Sequence, residues 1–333
     1  MEPILEVAQD GITRRDWISC VIGTAAAATL AGCGALSGTA RGKPRVVRVE
    51  SPSVWVGERR DPVVIAKMLE RGVTLLTGAE NGAAAWRRIL TPGMRVGLKI
   101  NLLGRPLLVT SLELTQAVAA AVIAAGTRPS DVIVWDRHAH HFGPTPYSPG
   151  RGPLGERVVA GGDYDPSKTL HGSGGAAPLD RVVTEQTDIT INLPLLKDHS
   201  VAGVTLSLKN IALGCYNEHP RAHDGNCDPF IAEAYAHFLT VHRIPLIVLD
   251  ATKGCFDQGP QPSTLDVTWN ENAIYLATDP VALDVICRRV ILDKRQAHGL
   301  SDKLSQSRHI DTAAQRGLGV GNPAAIDLVK VRL

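Results

Sequence analysis

Short apolar runs recur along the chain, each bounded by turn residues, and helical patterns fill the intervals between them. Buried parallel strands are near-continuous apolar runs, and the helices that connect them cover both faces of the sheet. The sequence therefore predicts an α/β fold with a largely parallel or mixed sheet and helices on both faces. The predicted strands are residues 45–50, 95–102, 131–136, 187–193, 203–208, 244–250, 273–278 and 326–333.

Two of the predicted helices begin with an Asp-Pro pair. Asp61 and Asp279 are expected to be N-caps, with proline at the first helical position of helices over 62–71 and 280–292. A third helix is predicted over 111–125, because a serine precedes it and a glycine follows it.

The stretch 137–177 is rich in Gly, Pro, Ser, His and Tyr and has no sustained period. A segment of this kind is expected to be a functional lid or an insertion without regular structure. Its three clustered histidines, His138, His140 and His141, are expected to be solvated.

Charge and motifs exclude several classes of protein. The 333 residues include 35 Lys plus Arg and 33 Asp plus Glu, so the chain lacks the basic excess of a nucleic-acid-binding protein. No internal repeat, dinucleotide-binding glycine motif, Walker loop or serine-hydrolase elbow is present. We therefore expect no nucleic acid among the partners and treat 45–333 as a single α/β domain.

The N-terminus has the pattern of an export signal. Arg14 and Arg15 precede an uncharged run over 18–31, which is too short to span a bilayer but typical of a signal peptide. Residues 1–32 are predicted to be a twin-arginine signal peptide, and 33–44 a tether. The predicted partner of this segment is the twin-arginine export machinery.

The run Leu30-Ala31-Gly32-Cys33 is similar to a bacterial lipobox, in which the cysteine becomes lipidated. We expect the mature protein in the periplasm or at the cell surface, held to the membrane by a lipid at Cys33. The alternatives are cleavage by ordinary signal peptidase after Ala40 and an alanine-rich helix with an incidental cysteine.

Polar residues stand at the ends of the predicted strands, and open α/β sheets bind ligands beyond the carboxyl ends of their strands. Lysines there supply positive charge and amides supply orientation, so the set predicts a site for a carboxylate or a phosphate. The alternative is that the lysines extend into solvent and the amides cap turns. The expected ligand-binding residues are Lys99, Asn101, Thr110, Asn192, Thr205 and Asn210.

Five residues are candidates for chemistry at this site. Lys197, His199 and Lys209 are expected to polarise the ligand, with Lys209 on the same strand face as Thr205. Asp136 and Asp250 end predicted strands, and either could be a base or a metal ligand.

A separate segment carries Cys215, His219, His223 and Cys227, which are soft ligands of the kind that zinc, iron or copper take. His199 is a further candidate ligand for such a metal. The alternative is a disulfide between Cys215 and Cys227, which an exported protein permits.

Ordered blocks of the sequence resemble the family called domain of unknown function 362. The likeness spans residues 95–333. The blocks are Lys99-Ile-Asn101, Asn192-Leu-Pro-Leu-Leu-Lys197-Asp-His199, Thr205-Leu-Ser-Leu-Lys209-Asn210, Leu249-Asp250, Gly259-Pro260, Asp279-Pro-Val-Ala-Leu-Asp284 and Gly317-Leu-Gly319.

The resemblance implies an α/β fold and this set of site residues, and it implies no reaction. Some relatives carry a ferredoxin-like module, but this chain lacks the closely spaced cysteines of such a module. No cofactor is identified by the sequence, and a transition metal is favoured over an iron–sulfur cluster. The expectation is an exported protein that binds an anionic small molecule, either as a metal-assisted enzyme or as a non-catalytic binding or redox lipoprotein.

Overall fold

The structure is a computed structural model that describes residues 42–218 and 220–333. The predicted export signal, Cys33 and His219 lie outside these residues. Within the described residues, no helix is long and apolar enough to cross a membrane.

Strands and helices alternate along the described chain. The strands are β1 (Arg45–Glu50), β2 (Trp55–Val56), β3 (Arg59–Arg60), β4 (Val96–Lys99), β5 (Val132–Asp136), β6 (Gly150–Arg151), β7 (Arg157–Ala160), β8 (Tyr164–Gly172), β9 (Gly175–Asp180), β10 (Ile189–Asn192), β11 (Leu195–His199), β12 (Gly203–Thr205), β13 (Arg243–Cys255), β14 (Thr268–Trp269), β15 (Ala273–Ala277) and β16 (Asp327–Arg332). The α-helices are α1 (Pro62–Thr77), α2 (Gly82–Ile89), α3 (Leu112–Ala124), α4 (Ser207–Ala212), α5 (Phe230–Val241), α6 (Pro280–Ala297) and α7 (His309–Gln315).

One large mixed sheet organises the fold, with the strand order β16-β1-β15-β13-β10-β4-β5-β7-β6. Strands β13, β10, β4, β5 and β7 are parallel to one another. Strand β15 is antiparallel to both of its neighbours, β1 and β13. The parallel centre places the ends of β10, β4 and β5 at one edge.

The two faces of the sheet carry separate apolar cores. Val132 and Val134 of β5 pack in one core with side chains of α1 and α3. Ile133 and Trp135 pack in the other core, which includes residues of α5 and α6. Successive side chains of a strand point to opposite faces, so this division places helices on both sides of the sheet. The predicted fold class is confirmed.

The Asp-Pro helix starts also agree with the prediction. Asp61 accepts hydrogen bonds from the backbone N–H groups of Val63 and Val64, at 2.8 and 3.2 Å. Asp279 accepts one from the backbone N–H of Ala282 at 2.8 Å. These contacts satisfy N–H groups that have no partner within the helix. Both helices extend beyond the predicted ends, to Thr77 and Ala297.

One predicted strand is wrong in its second half. Strand β12 ends at Thr205, and the chain continues into helix α4 at Ser207. The carboxylate of Asp284 accepts hydrogen bonds from the backbone N–H groups of Ser207 and Leu208, at 2.8 and 3.0 Å. A distant residue thus supplies the partners that let a helix begin inside an apolar, strand-like run.

The expected irregular stretch is also corrected. Four strands, β6 to β9, lie within residues 137–177 or extend just past them. Strand β7 joins the main sheet beside β5, and β8 pairs with β9 as a separate hairpin. The segment looked irregular because its strands are short or largely exposed and lack an apolar period.

Candidate functional site

Three neighbouring parallel strands end in polar residues. Strands β10, β4 and β5 end at Asn192, Lys99 and Asp136, and a cavity of about 480 Å³ opens beside this edge. Eight of the residues predicted to bind a ligand, act in catalysis or hold a metal line the cavity. They are Lys99, Asn101, Asp136, His199, Thr205, Lys209, Asn210 and His223.

Lys99 and Asp136 form a buried ion pair at the floor of the cavity. The Lys99 Nζ atom donates to Asp136 Oδ1 and to the backbone oxygen of Ile100, both at 2.7 Å. Asp136 Oδ2 accepts from the backbone N–H of Leu102 at 2.7 Å and lies 3.5 Å from Nδ1 of His141. Burial opposes ionisation of Asp136, but the charge and hydrogen bond of Lys99 together with the contact from His141 outweigh burial and hold the pKa of Asp136 well below its usual value. Asp136 is therefore an ion-pair partner, and such a carboxylate is a weak base.

A directional chain of side-chain amides begins at Lys197. The Lys197 ammonium donates to Asn101 Oδ1 at 3.0 Å, and Asn101 Nδ2 donates to Asn210 Oδ1 at 2.9 Å. Asn210 Nδ2 donates to Asn192 Oδ1 at 2.7 Å, and Asn192 Nδ2 donates to the backbone oxygen of Ser207 at 3.0 Å. Each amide oxygen accepts a hydrogen bond and each amide nitrogen donates one, so the orientation of all three amides is fixed.

Two lysines of the site lack a carboxylate partner. Among the described residues, neither Lys197 nor Lys209 has a carboxylate within ion-pair distance, although both are buried. Burial lowers the pKa of Lys197 to about 8 and also lowers the pKa of Lys209. Lys209 lines the cavity, whereas Lys197 lies behind Asn101.

The ring of His199 is fixed by two backbone donors. Its Nδ1 atom accepts from the N–H groups of Val201 and Ala202, at 3.0 and 3.1 Å. The neutral ring therefore carries its proton on Nε2 and is a hydrogen-bond donor there. Burial, together with nearby Lys209, lowers the pKa of His199 to about 2.

This tautomer corrects one expectation for His199. A metal ligand needs a lone pair on the coordinating nitrogen, but both lone-pair positions of this ring are taken, one by backbone donors and one by a proton. In this orientation His199 can polarise a bound group by donating a hydrogen bond, and it cannot coordinate a metal.

Two predicted site residues lie away from the cavity. The Asp250 carboxylate accepts from the N–H and hydroxyl of Ser111, at 2.8 and 2.6 Å. It also accepts from the N–H and hydroxyl of Thr252, at 3.0 and 2.7 Å. Thr110 accepts from the N–H of Asn101 and donates to the oxygen of Leu193, both at 2.9 Å. Both residues hold the backbone in place, and this geometry gives no support to the predicted base role of Asp250.

The candidate metal ligands of the cysteine and histidine segment do not all lie at the cavity. His223 lines the cavity, whereas Cys215 and Cys227 are buried thiols away from it. The alternative of a disulfide between these two cysteines is not realised, and burial raises the pKa of both thiols. Across residues 42–218 and 220–333, no group of three or more His, Cys, Asp or Glu side chains is arranged to hold a metal ion.

The sequence reasoning missed an ion pair at the mouth of the cavity. Arg137 pairs with Glu218, and its Nη1 atom also donates to the backbone oxygen of Leu213 at 3.1 Å. Arg137 directly follows the strand-end residue Asp136, and this position is the signal that could have indicated it.

The prediction that the three loop histidines are solvated is also corrected. His138, His140 and His141 line the cavity, with ring centroids 4.6 to 5.1 Å apart. Burial and the neighbouring Arg137 charge lower the pKa of His138 to about 4. Of the three, His141 is buried rather than solvated.

The fold and the cavity define an α/β protein whose polar side chains collect at the carboxyl ends of parallel strands. The chain belongs to the domain of unknown function (DUF362) family, whose sequence pattern matches residues 96–289. The match includes every block quoted above except Gly317-Leu-Gly319. No curated protein and no solved structure matches the chain.

Proposed function

We propose that the protein binds an anionic small molecule in the strand-end cavity. The observation that carries the proposal is that Lys209, which is buried and lines the cavity, has no carboxylate partner among the described residues. The other two cations at the cavity are paired, since Lys99 contacts Asp136 and Arg137 contacts Glu218. A buried charge without a partner costs several kcal/mol, and an anion in the cavity would offset this cost.

The neutral groups around the cavity suit the same ligand. His199 presents an N–H group, and the amide of Asn101 has its oxygen occupied by Lys197. The hydroxyl of Thr205 is buried in the cavity wall and has no hydrogen-bond partner among the described residues. Carboxylates and phosphates accept hydrogen bonds from donors of these kinds.

Ligand-dependent thermal stabilisation tests the proposal. Phosphate, oxalate and lactate should raise the melting temperature in a saturable way, because a ligand that binds only the folded state stabilises it. Lys209→Met should reduce the affinity by about tenfold or more, which corresponds to about 1.4 kcal/mol. Lys67→Met is the matched control, because Lys67 is exposed on α1. Equal affinities in wild type and Lys209→Met would contradict the proposal.

The same experiment separates an enzyme from a binding protein. In an enzyme, the bound ligand is converted in a reaction that Lys209→Met slows. In a non-catalytic binding protein, the ligand is recovered unchanged after incubation with wild type, with or without added divalent metal. Product analysis by mass spectrometry distinguishes these two outcomes.

We also propose that the protein is exported and anchored by a lipid. The support is the order of Arg14-Arg15, the uncharged run 18–31 and Cys33 in the sequence. Replacing both arginines with lysine should keep the protein in the cytoplasm. Cys33→Ala should release the exported protein from membranes and change its gel mobility, and unchanged fractionation would contradict anchoring at this cysteine.

A further inference from the structure

The three lysines of the strand-end site differ in what their amino groups contact. Lys99 donates to the carboxylate of Asp136 and to a backbone oxygen. Lys197 is completely buried and donates to Asn101, so it does not reach the cavity. Lys209 lines the cavity and, among the described residues, its amino group has no hydrogen-bond or carboxylate partner. Lys209 alone of the three is placed to meet a bound molecule without first breaking a contact.

The surroundings of Lys209 lower its pKa, so the neutral amine is more accessible than in an exposed lysine. Its side chain is 6% exposed, and the Arg137 charge lies close enough to oppose protonation. Burial is the main cause of the lowered pKa of Lys209, although the acidic groups of Cys227 and Glu218 act in the opposite direction. A lysine that is desolvated near another cation is the kind that reacts with carbonyl groups in proteins.

The cavity that Lys209 lines also carries hydrogen-bond donors. Gly214 is part of the cavity wall, and a side chain there would collide with the protein, because a Cβ atom would lie 2.1 Å from the backbone oxygen of Asn210 and 3.0 Å from Lys99 Nζ. His199 and the unpartnered hydroxyl of Thr205 line the same cavity. A ligand that carries both a carbonyl group and an anionic group can use the amine and these donors together.

We propose that Lys209 forms an imine with the carbonyl carbon of an anionic carbonyl compound, such as a 2-oxo acid. The proposal rests on the anion-binding function proposed above. The amine lone pair attacks the carbonyl carbon and forms a carbon–nitrogen bond, giving a carbinolamine. The carbon–oxygen bond then breaks, and the oxygen leaves as water with the two hydrogens that the amine carried. His199 Nε2–H and the Thr205 hydroxyl are the donors for the carbonyl oxygen and the anionic group.

Reductive trapping tests the imine directly. The purified protein is incubated with pyruvate and treated with sodium borohydride, whose hydride converts an imine into a stable secondary amine. The expected result is one carboxyethyl group per chain, located on Lys209 by peptide mapping. Dihydroxyacetone phosphate in place of pyruvate shows whether the anionic group that the cavity accepts is a carboxylate or a phosphate.

Two variants control the labelling. Lys209→Arg keeps the positive charge but cannot form an imine, so it should lose the adduct while still binding lactate or phosphate. Lys67→Met should be labelled like wild type, because the exposed Lys67 is remote from the chemistry. Peptide mapping of the wild-type protein gives the answer even where a variant does not fold.

The outcomes separate this proposal from the one on which it rests. Labelling spread over surface lysines, or retained in Lys209→Arg, overturns the imine. Stabilisation by lactate or phosphate without trapping of either carbonyl compound also overturns the imine but leaves the anion site in place. No stabilisation by any anion and no trapping overturn both.

Discussion

The surroundings of Asp250 and the strand-end cavity are two polar regions of one sheet. They differ in how many of their buried polar groups have hydrogen-bond or ion-pair partners inside the protein. Asp250 accepts four hydrogen bonds, from Ser111 and Thr252, and is completely buried. At the cavity, Lys209 and the Thr205 hydroxyl are buried and have no such partners among the described residues. The buried polar residues of these two regions are therefore of two kinds. Those with all partners inside the protein hold the fold, and those with partners missing mark where a ligand belongs.

The largest expected effect is the loss of Asp250. Asp250→Ala leaves two backbone N–H groups and two hydroxyls buried without their acceptor, which should cost about 3 kcal/mol of unfolding free energy. Urea denaturation measures this loss, and Asp266→Ala at an exposed position is the control. The affinity of the folded variant for anions should not change. A stable variant with weakened anion binding would show that Asp250 belongs to the site.

Lys197 should make stability depend on pH in the alkaline range. Its pKa in the folded protein is lowered to about 8 from 10.5, so the unfolded chain binds more protons between these values. Stability therefore rises with pH through this window as the cost of the buried charge disappears. The contribution from Lys197 between pH 8 and 10 should be about 2 kcal/mol.

The difference between wild type and Lys197→Met isolates this contribution from other groups that titrate in the same range. Denaturation of both proteins at matched pH values is the measurement. The variant should show a smaller rise than wild type. Parallel curves would mean that the pKa of Lys197 is not lowered in the folded protein.

The strands at the site were predictable because they depend on local pattern. The apolar runs predict strands over 95–102, 131–136 and 187–193, and the observed strands end at Lys99, Asp136 and Asn192, which the parallel topology brings to one edge. Helix α4 was not predictable, because it begins at Ser207 through contacts with Asp284, which is distant in sequence. Strand β11 was missed because polar Lys197, Asp198 and His199 interrupt its apolar pattern.

The division between structural and site residues could not be predicted from residue type. Asp250 and Asp136 both end strands predicted from the sequence, yet Asp250 lies within β13 with four donors around it, whereas Asp136 ends β5 and pairs with a lysine. Their roles depend on which distant side chains fold against them. For the same reason, the sequence did not show that His199 accepts two backbone N–H groups and turns its own N–H toward a different partner.

His199 should make stability depend on pH in the acid range. Its pKa is lowered from 6.5 to about 2. Below pH 6.5 the histidine is therefore protonated in the unfolded chain while it stays neutral in the folded protein. Stability should fall as the pH drops, and the contribution of His199 at pH 5 is about 2 kcal/mol. His199→Asn keeps an acceptor near the Nδ1 position but cannot be protonated, so it should lose this part of the acid sensitivity.

Nitrogen NMR gives an independent readout for the same residue. In wild type, the ring should remain the neutral Nε2–H tautomer from pH 8 down to pH 4. A protonated ring at pH 5 would contradict the assigned role of Nδ1 as an acceptor. The anion affinity of His199→Asn should be reduced at every pH, because the donor itself is absent.

The smallest expected effects come from a matched pair of threonines. Thr252→Val removes a hydroxyl that donates to Asp250 at 2.7 Å and accepts from Arg60 at 2.7 Å, which should cost about 1 kcal/mol of stability without changing anion affinity. Thr205→Val removes a buried hydroxyl that has no partner, so it should leave stability unchanged or slightly raised. The same substitution should weaken anion binding by about fivefold, close to 1 kcal/mol, because the ligand loses a donor. Denaturation and calorimetric titration of both variants measure the two effects. The same response from both threonines in both measurements would contradict the distinction between a buried hydroxyl with partners inside the protein and one that awaits a ligand.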